Sequence, residues 1–449
     1  SRDDAGGKGA GVKAWPRRGS SARRAWRWAG RLVLVAAVLA WAVSSVREFW
    51  DTPGYDLSAL VVGAKVMHDG AVGHLYDHNP RYYNIADSPE FEQAAHELGF
   101  VGYAPTAFVH PPLLAFLAAP LAATPFRTTV HAWLLASLVA TVAGAWLAFR
   151  AYAPRWATAW HLAAVFACIS WFEPVRYALW LGQTTPFVFL DVVGAAVLLR
   201  TRKDAAAGLV LSLSVFLKLT PIVLVASWAW QRRWRAVAAA LGGLLALALL
   251  SAAIDGIASN VEYLRRVEQI SGITLITFND DSLPALLTRW TFRQPDVVAF
   301  IMIPPPAWVR WAVVAGTALV AILAVRCDRV RRDGQLLDAL GMLAMLLVPS
   351  IAWTHYFVFL APVALVLCTR VPRGAPRVAC IVACLVVLAS CCRPWITDQT
   401  DFDPLHPGSF TTPAWAALAL VALACGVGLW RSGLRQRPRG GRPVVQVVS

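Results

Sequence analysis

The run VAAALGGLLALALLSAAI, residues Val237–Ile254, carries no charged side chain and a single hydroxyl, that of Ser251. At 1.5 Å per residue, a helix over about 18 such residues nearly matches the roughly 30 Å of a bilayer's hydrocarbon core. Similar runs recur at Leu32–Val46, Val130–Phe149, Trp311–Val325, Leu337–Ile351 and Ala414–Trp430. None alternates as a barrel strand does, and lipid leaves only helices or closed barrels as spanning structures. The chain therefore reads as an all-α polytopic membrane protein. A hydrophobic share of 58% over 449 residues agrees with this, being far above that of a soluble domain.

The net charge of +15 does not form a nucleic-acid-binding surface. It collects in short loops and tails: Arg17-Arg18, Arg23-Arg24, Arg326–Arg332, Arg370–Arg377 and Arg431–Arg442. That is the distribution of cytoplasmic segments under the positive-inside rule. Residues 1–28 read as a disordered basic tail, 29–431 as one membrane domain, and 432–449 as a second tail. No small-residue cleavage site follows the first apolar run before Arg47, so that run reads as an uncleaved anchor. Arg150–Arg155, Arg200–Lys203 and Arg232–Arg235 should also share the inner side. This requires Pro111–Pro120 to be broken and re-entrant, and Gly208–Trp230 to be a short hairpin bent at Lys218-Leu219-Thr220-Pro221. A plain twelve-helix count closes too, but leaves Arg200–Lys203 outside. The eight cysteines show no metal-site spacing.

Nine of the 26 acidic residues fall between Arg47 and His110, in what reads as the first outer loop (about 47–110). A second outer loop is expected over about 255–306. Asp56, in Pro53-Gly54-Tyr55-Asp56, lies where a carboxylate at the membrane boundary can take a proton from a hydroxyl. Asp51 is its nearest competitor. Lys218 follows a mostly apolar stretch, and intramembrane cations usually face a cavity or functional path. Its charge suits a lipid phosphate. His355, in Trp353-Thr354-His355-Tyr356, can donate a hydrogen bond to phosphate or sugar. His110-Pro111-Pro112, Gly182-Gln183-Thr184 and Asn279-Asp280-Asp281-Ser282 with Arg289 complete the set. Taken singly, each also reads as ordinary cap, turn, snorkelling or aromatic-belt chemistry.

In order, however, the motifs form a series. Tyr55-Asp56, Leu75-Tyr76-Asp77, His110-Pro111-Pro112-Leu113, Gly182-Gln183, Leu217-Lys218-Leu219-Thr220-Pro221 and Trp353-Thr354-His355-Tyr356 resemble glycosyltransferase family 87 over roughly residues 30–430. The resemblance implies a GT-C fold with about 12 transmembrane helices and a catalytic first extracytoplasmic loop. It implies a metal-independent, inverting enzyme of the bacterial inner membrane, with no cofactor. A single sugar, mannose by default, would pass from a polyprenyl-phosphate donor to an extracytoplasmic glycolipid or glycan. By the same resemblance Asp56 is the catalytic base, and Lys218 and His355 bind the donor phosphate. Gln183, Tyr356 and His110 line the cavity, with Asp51, Asp281 and Arg289 as secondary candidates. His110 stands where the family often has Tyr or another aromatic, and Asn279–Ser282 only approximates the family's Asn-Gln-Ser pattern. Two other classes remain open on residues alone. One is a lipid or solute transporter, which would favour an internal repeat. The other is an oligosaccharide ligase with a diphosphate-linked donor, which would favour several cavity arginines.

Overall fold

The computed structural model describes residues 20–79, 85–102, 104–277, 279–291, 301–326, 332–392 and 412–436. Its helices are α1 (Ser20–Phe49), α2 (Tyr55–His68), α3 (Pro89–Glu97), α4 (Pro112–Leu117), α5 (Ala119–Ala122) and α6 (Phe126–Tyr152). Then follow α7 (Ala159–Cys168), α8 (Glu173–Leu181), α9 (Thr185–Arg200), α10 (Asp204–Leu217), α11 (Val223–Trp230) and α12 (Trp234–Ser271). The series closes with α13 (Leu283–Thr291), α14 (Ala307–Arg326), α15 (Gly334–Leu347), α16 (Leu360–Arg370), α17 (Ala375–Ser390) and α18 (Thr412–Gln436). Among the described residues, four helices are long and apolar enough to cross a membrane, and seven shorter apolar stretches accompany them. Many of their large apolar side chains, such as Leu245, Leu249 and Val386, point outward. That is costly in water and favourable in lipid, so this is a multi-pass membrane protein.

The all-α expectation has one small exception. Strands β1 (Thr274–Ile276) and β2 (Ile301–Ile303) pair antiparallel, Leu275 opposite Met302. The tail boundaries also differ from expectation. Helix α1 already begins at Ser20, and α18 continues to Gln436, because apolar stretches extend helix into the adjoining basic residues. The supposed second loop is partly helix as well. Helix α12 runs past Asp255 to Ser271, across a non-helical Gly256 at φ 81°. The segment holding Asp398, Asp401 and Asp403 lies outside the described residues.

The chain is broken over Pro112–Ala122 and turns back on itself at Lys218. Helices α4 and α5 span only about 9 and 6 Å, too short to cross. Helix α10 ends at Lys218, a 3-10 turn follows over Thr220–Ile222, and α11 leads back. The two ends of this hairpin meet: Arg233 Nη1 lies 3.4 Å from Asp204 Oδ1. Helix α12 then climbs beside α10 in parallel. A side chain at Gly208 would run into the Ala236 backbone, and one at Gly243 into Ser212. Small residues permit that close backbone approach, as in other membrane helix pairs. Arg155, Arg200, Arg233 and Arg370 consequently surround one cavity at one end of the bundle.

The first loop is a folded cap rather than a linker. Helix α2 buries Leu57, Leu60, Val61, Val62 and Val66 against Phe91 and Ala94 of α3 and against Phe108. Each fully buried aliphatic side chain is worth roughly 1.5–3 kcal/mol, which is enough to hold a short helix in place. Ser88 caps α3, accepting from Phe91 N, and Pro89 opens its first turn.

Candidate active site

Two left-handed glycines bring the first turn of α2 against the end of α8. Gly54 precedes α2 at φ 59°, and Gly182 ends α8 at φ 69°. A Cβ on Gly182 would lie 2.8 Å from Leu57 Cβ, so both backbone angle and space require glycine there. Thr52 Oγ1 donates to the Trp180 carbonyl at 2.5 Å, and Trp133 Nε1 donates to the Gln183 carbonyl at 3.3 Å. The result is contact between two motifs far apart in sequence: Gln183 Nε2 donates to the Asp56 carboxylate.

Gln183 passes the contact onward. Its Oε1 accepts from Lys218 Nζ at 3.1 Å, and Thr185 Oγ1 accepts from the same ammonium at 3.0 Å. The third neighbour of Nζ is His355 Nε2, 3.2 Å away. An ammonium has three N–H groups and accepts nothing, so Nε2 is the acceptor and the imidazole proton sits on Nδ1. Among the described residues Nδ1 has no hydrogen-bond partner. The Tyr356 ring centroid lies 3.9 Å from Nζ, a cation–π contact.

Asp56, His110, Gln183, Lys218 and Tyr356 all line one cavity of about 380 Å³. His355 does not; it is fully buried, in contact with Lys218 and stacked near Tyr177. Burial pushes the Asp56 carboxyl up to about 6, although the Gln183 hydrogen bond and the Lys218 charge work against this. Burial and the Lys218 charge hold His110 down at about 4, opposed by a hydrogen bond to the Leu217 backbone. At neutral pH the cavity therefore presents an ionised carboxylate and a neutral imidazole.

The secondary candidates lie elsewhere. Asp51 is exposed and paired with Arg127, outside the cavity. Asp281 is buried and accepts from Thr354 Oγ1 at 2.7 Å, while Asp280 accepts from Ala352 N at 2.8 Å. These two aspartates hold the Ser350–Thr354 segment, and with it Trp353 and Tyr356, in place. The Arg289 side chain lies outside the described residues. Of the 279–282 motif only Asn279 reaches the cavity, with its Nδ2 donating to Tyr177 Oη at 2.6 Å. Sequence reasoning missed the aromatic wall that Trp133, Tyr177 and Trp180 form beside Tyr55. With 21 tryptophans in the chain, nothing in the sequence distinguished these residues.

Among the described residues, two clusters of ligand-type atoms lie apart from the cavity. Cys368, Cys380 and Cys384 form a buried one, and His74, Asp77 and Glu90 a partly exposed one. Within the cavity, among the described residues, Asp56 is the single carboxylate and Lys218 the single ammonium, with no arginine.

Residues 108–350 match glycosyltransferase family 87. Among curated proteins, the chain is 25% identical over 342 residues to a Mycobacterium tuberculosis polyprenol-phosphate-mannose-dependent alpha-(1-2)-phosphatidylinositol pentamannoside mannosyltransferase. That alignment covers 75% of this chain and 76% of the relative. A Mycolicibacterium smegmatis protein of the same description is 26% identical over 379 residues, 82% of each chain. A second M. tuberculosis relative, a polyprenol-phosphate-mannose-dependent alpha-(1-2)-phosphatidylinositol mannoside mannosyltransferase, is 27% identical over 79% of this chain and 80% of its own. The family match covers more than half of the sequence and runs from the segment before the His110 motif to the Ser350 turn, so this chain belongs to glycosyltransferase family 87.

Proposed function

We propose that the protein transfers one mannose from a polyprenyl-phosphate donor to a glycolipid on the extracytoplasmic side of a bacterial inner membrane. The observation that carries this reading is the hydrogen-bonded chain Asp56–Gln183–Lys218 within one cavity. The relatives' names supply the donor class, and the basic turns at the far end of the bundle support an outward-facing cavity. Counting α9 with the eleven apolar stretches gives about twelve crossings, in keeping with a GT-C architecture.

The reaction is a single displacement. Asp56 takes the proton of the acceptor hydroxyl as that oxygen bonds to the anomeric carbon. The bond from that carbon to the phosphate oxygen breaks, and its electron pair leaves on the polyprenyl phosphate. Attack from the opposite face inverts the anomeric centre. The phosphate is already a good leaving group, so it needs charge stabilisation rather than a second acid. Lys218 supplies that charge. Its three N–H groups are already engaged, so the phosphate displaces a neutral acceptor, Gln183 or Thr185, for a stronger charge-assisted bond. His355 acts from behind, positioning Lys218, and does not touch the donor. Gln183 orients the Asp56 carboxylate. A lone carboxylate is a poor donor set for a hard divalent cation, which supports a metal-independent mechanism. The absence of arginine from the cavity lining, among the described residues, disfavours a diphosphate-linked donor.

The test is to incubate purified protein with radiolabelled polyprenyl-phosphate-mannose and a membrane lipid extract in the presence of a chelator. Labelled glycolipid is expected from the wild type and not from Asp56→Asn. Label that remains wholly on the polyprenyl carrier with the wild type defeats the proposal.

A further inference from the structure

A second polar cavity lies at the other end of the bundle from Asp56. Helix α9 connects the two ends, with Thr184 beside the Asp56 cavity and Arg200 beside this one, about 24 Å apart. Its volume is about 820 Å³. Among the described residues, seven arginines line it against two carboxylates, those of Asp333 and Asp338. They come from turns distant in sequence: the α6–α7 turn, the end of α9, the α11–α12 turn, the start of α15 and the α16–α17 turn.

Both carboxylates already have partners. Asp333 pairs with Arg370 at 2.6 Å, and Asp338 accepts from Gln231 Nε2 at 2.7 Å in the floor of the cavity. Arg200 donates to the Ala151 carbonyl, and Arg377 Nε donates to the Val371 carbonyl at 2.8 Å. Arg155 and Arg373 make no hydrogen bond or ion pair with any described residue, yet both line the cavity. The positive-inside rule explains why arginines occupy these turns, but not why they converge on a single concave site. Mutual repulsion disfavours such convergence unless an anion relieves it.

From this geometry we infer that the cavity binds a phosphate-bearing anion, either a lipid headgroup or a soluble phosphate compound. Guanidinium forks match phosphate oxygens two at a time, so Arg155 and Arg373 are the primary ligands, and Arg200 and Arg233 flank them. The volume exceeds that of a bare phosphate and suits a glycerophosphate-sized group. This site is separate from the transfer reaction and does not depend on the reading of Asp56.

Native mass spectrometry of the detergent-purified full chain tests the inference without any activity assay. The probes are dioleoyl phosphatidylglycerol, dioleoyl phosphatidylcholine and inorganic pyrophosphate, each titrated onto wild type and the Arg155→Gln/Arg373→Gln variant. Retention of one phosphatidylglycerol in preference to phosphatidylcholine is expected, weakened about tenfold or more in the variant and reduced by added salt. Retention of pyrophosphate instead, with the same loss in the variant, supports the soluble form of the ligand. If neither anion is retained above phosphatidylcholine, or if the variant retains them equally, the site does not exist. A matching melting temperature for the variant separates lost binding from lost fold.

Discussion

The two ends of this helical bundle handle positive charge in opposite ways. At the Asp56 end a single ammonium is withdrawn from bulk water, and each of its protons is taken by a named acceptor. At the opposite end, among the described residues, seven guanidinium groups share an open cavity, and two of them, Arg155 and Arg373, have no described partner. The difference follows from solvation. A cation inside a membrane protein is tolerated only with partners or a cavity, whereas arginines at a water-facing rim need neither. An ammonium whose three protons all have acceptors is preorganised for chemistry; guanidinium groups without a described partner are open to a ligand.

The comparison breaks first if Asp56 proves dispensable. Asp56→Asn should lower the transfer rate by roughly 10²–10⁴, the usual contribution of a positioned base, without changing elution on size exclusion. A rate near wild type would return Asp56 to a capping role. Next in size is Lys218→Met, which should raise the donor KM about tenfold or more, since a hydrogen bond to a charged group is worth about 1.5–3 kcal/mol. An unchanged donor KM, read from initial rates at fixed acceptor, sinks the phosphate role.

The pH profile sharpens the same contrast. As base, Asp56 must be ionised, so kcat/KM should fall tenfold per unit as pH drops below about 6. The Gln183 hydrogen bond lowers the Asp56 value, so Gln183→Leu should move this acid limb to higher pH. A limb that stays in place assigns the titration to another group. Gly182→Ala has a smaller effect and tests the scaffold rather than the chemistry. Its left-handed angle costs about 1–2 kcal/mol for an L side chain, and Leu57 Cβ leaves it no room. A melting point several degrees lower is expected, together with slower transfer. Smallest of all is Asp51→Asn, which breaks an exposed ion pair outside the cavity and should leave the rate within twofold.

Much of this architecture was legible before any coordinates. Apolar runs marked the spans, and placing every basic turn on one side asked for a bend at Lys218, where the chain does turn back between α10 and α11. Asp56, Gln183, Lys218, Tyr356 and His110 do converge on one cavity. What stayed hidden was the depth of each residue. His355 and Asp281 carry the residue types of a binding site, but both are buried, one against Lys218 and the other against the Thr354 turn. The aromatic wall was equally invisible, because tryptophan serves lipid contact and cavity lining alike.

The sequence alone determined that this chain is helical and membrane-embedded, and which of its ends carries the basic turns. Those properties depend on local hydropathy and on charge near helix ends, which need no knowledge of distant neighbours. Only the tertiary structure decided that the first loop folds into a cap, and that α12 continues as helix beyond Gly256. It alone brought Gln183 between Asp56 and Lys218. That last contact depends on backbone approach at Gly54 and Gly182, a long-range steric fit that no window of sequence encodes.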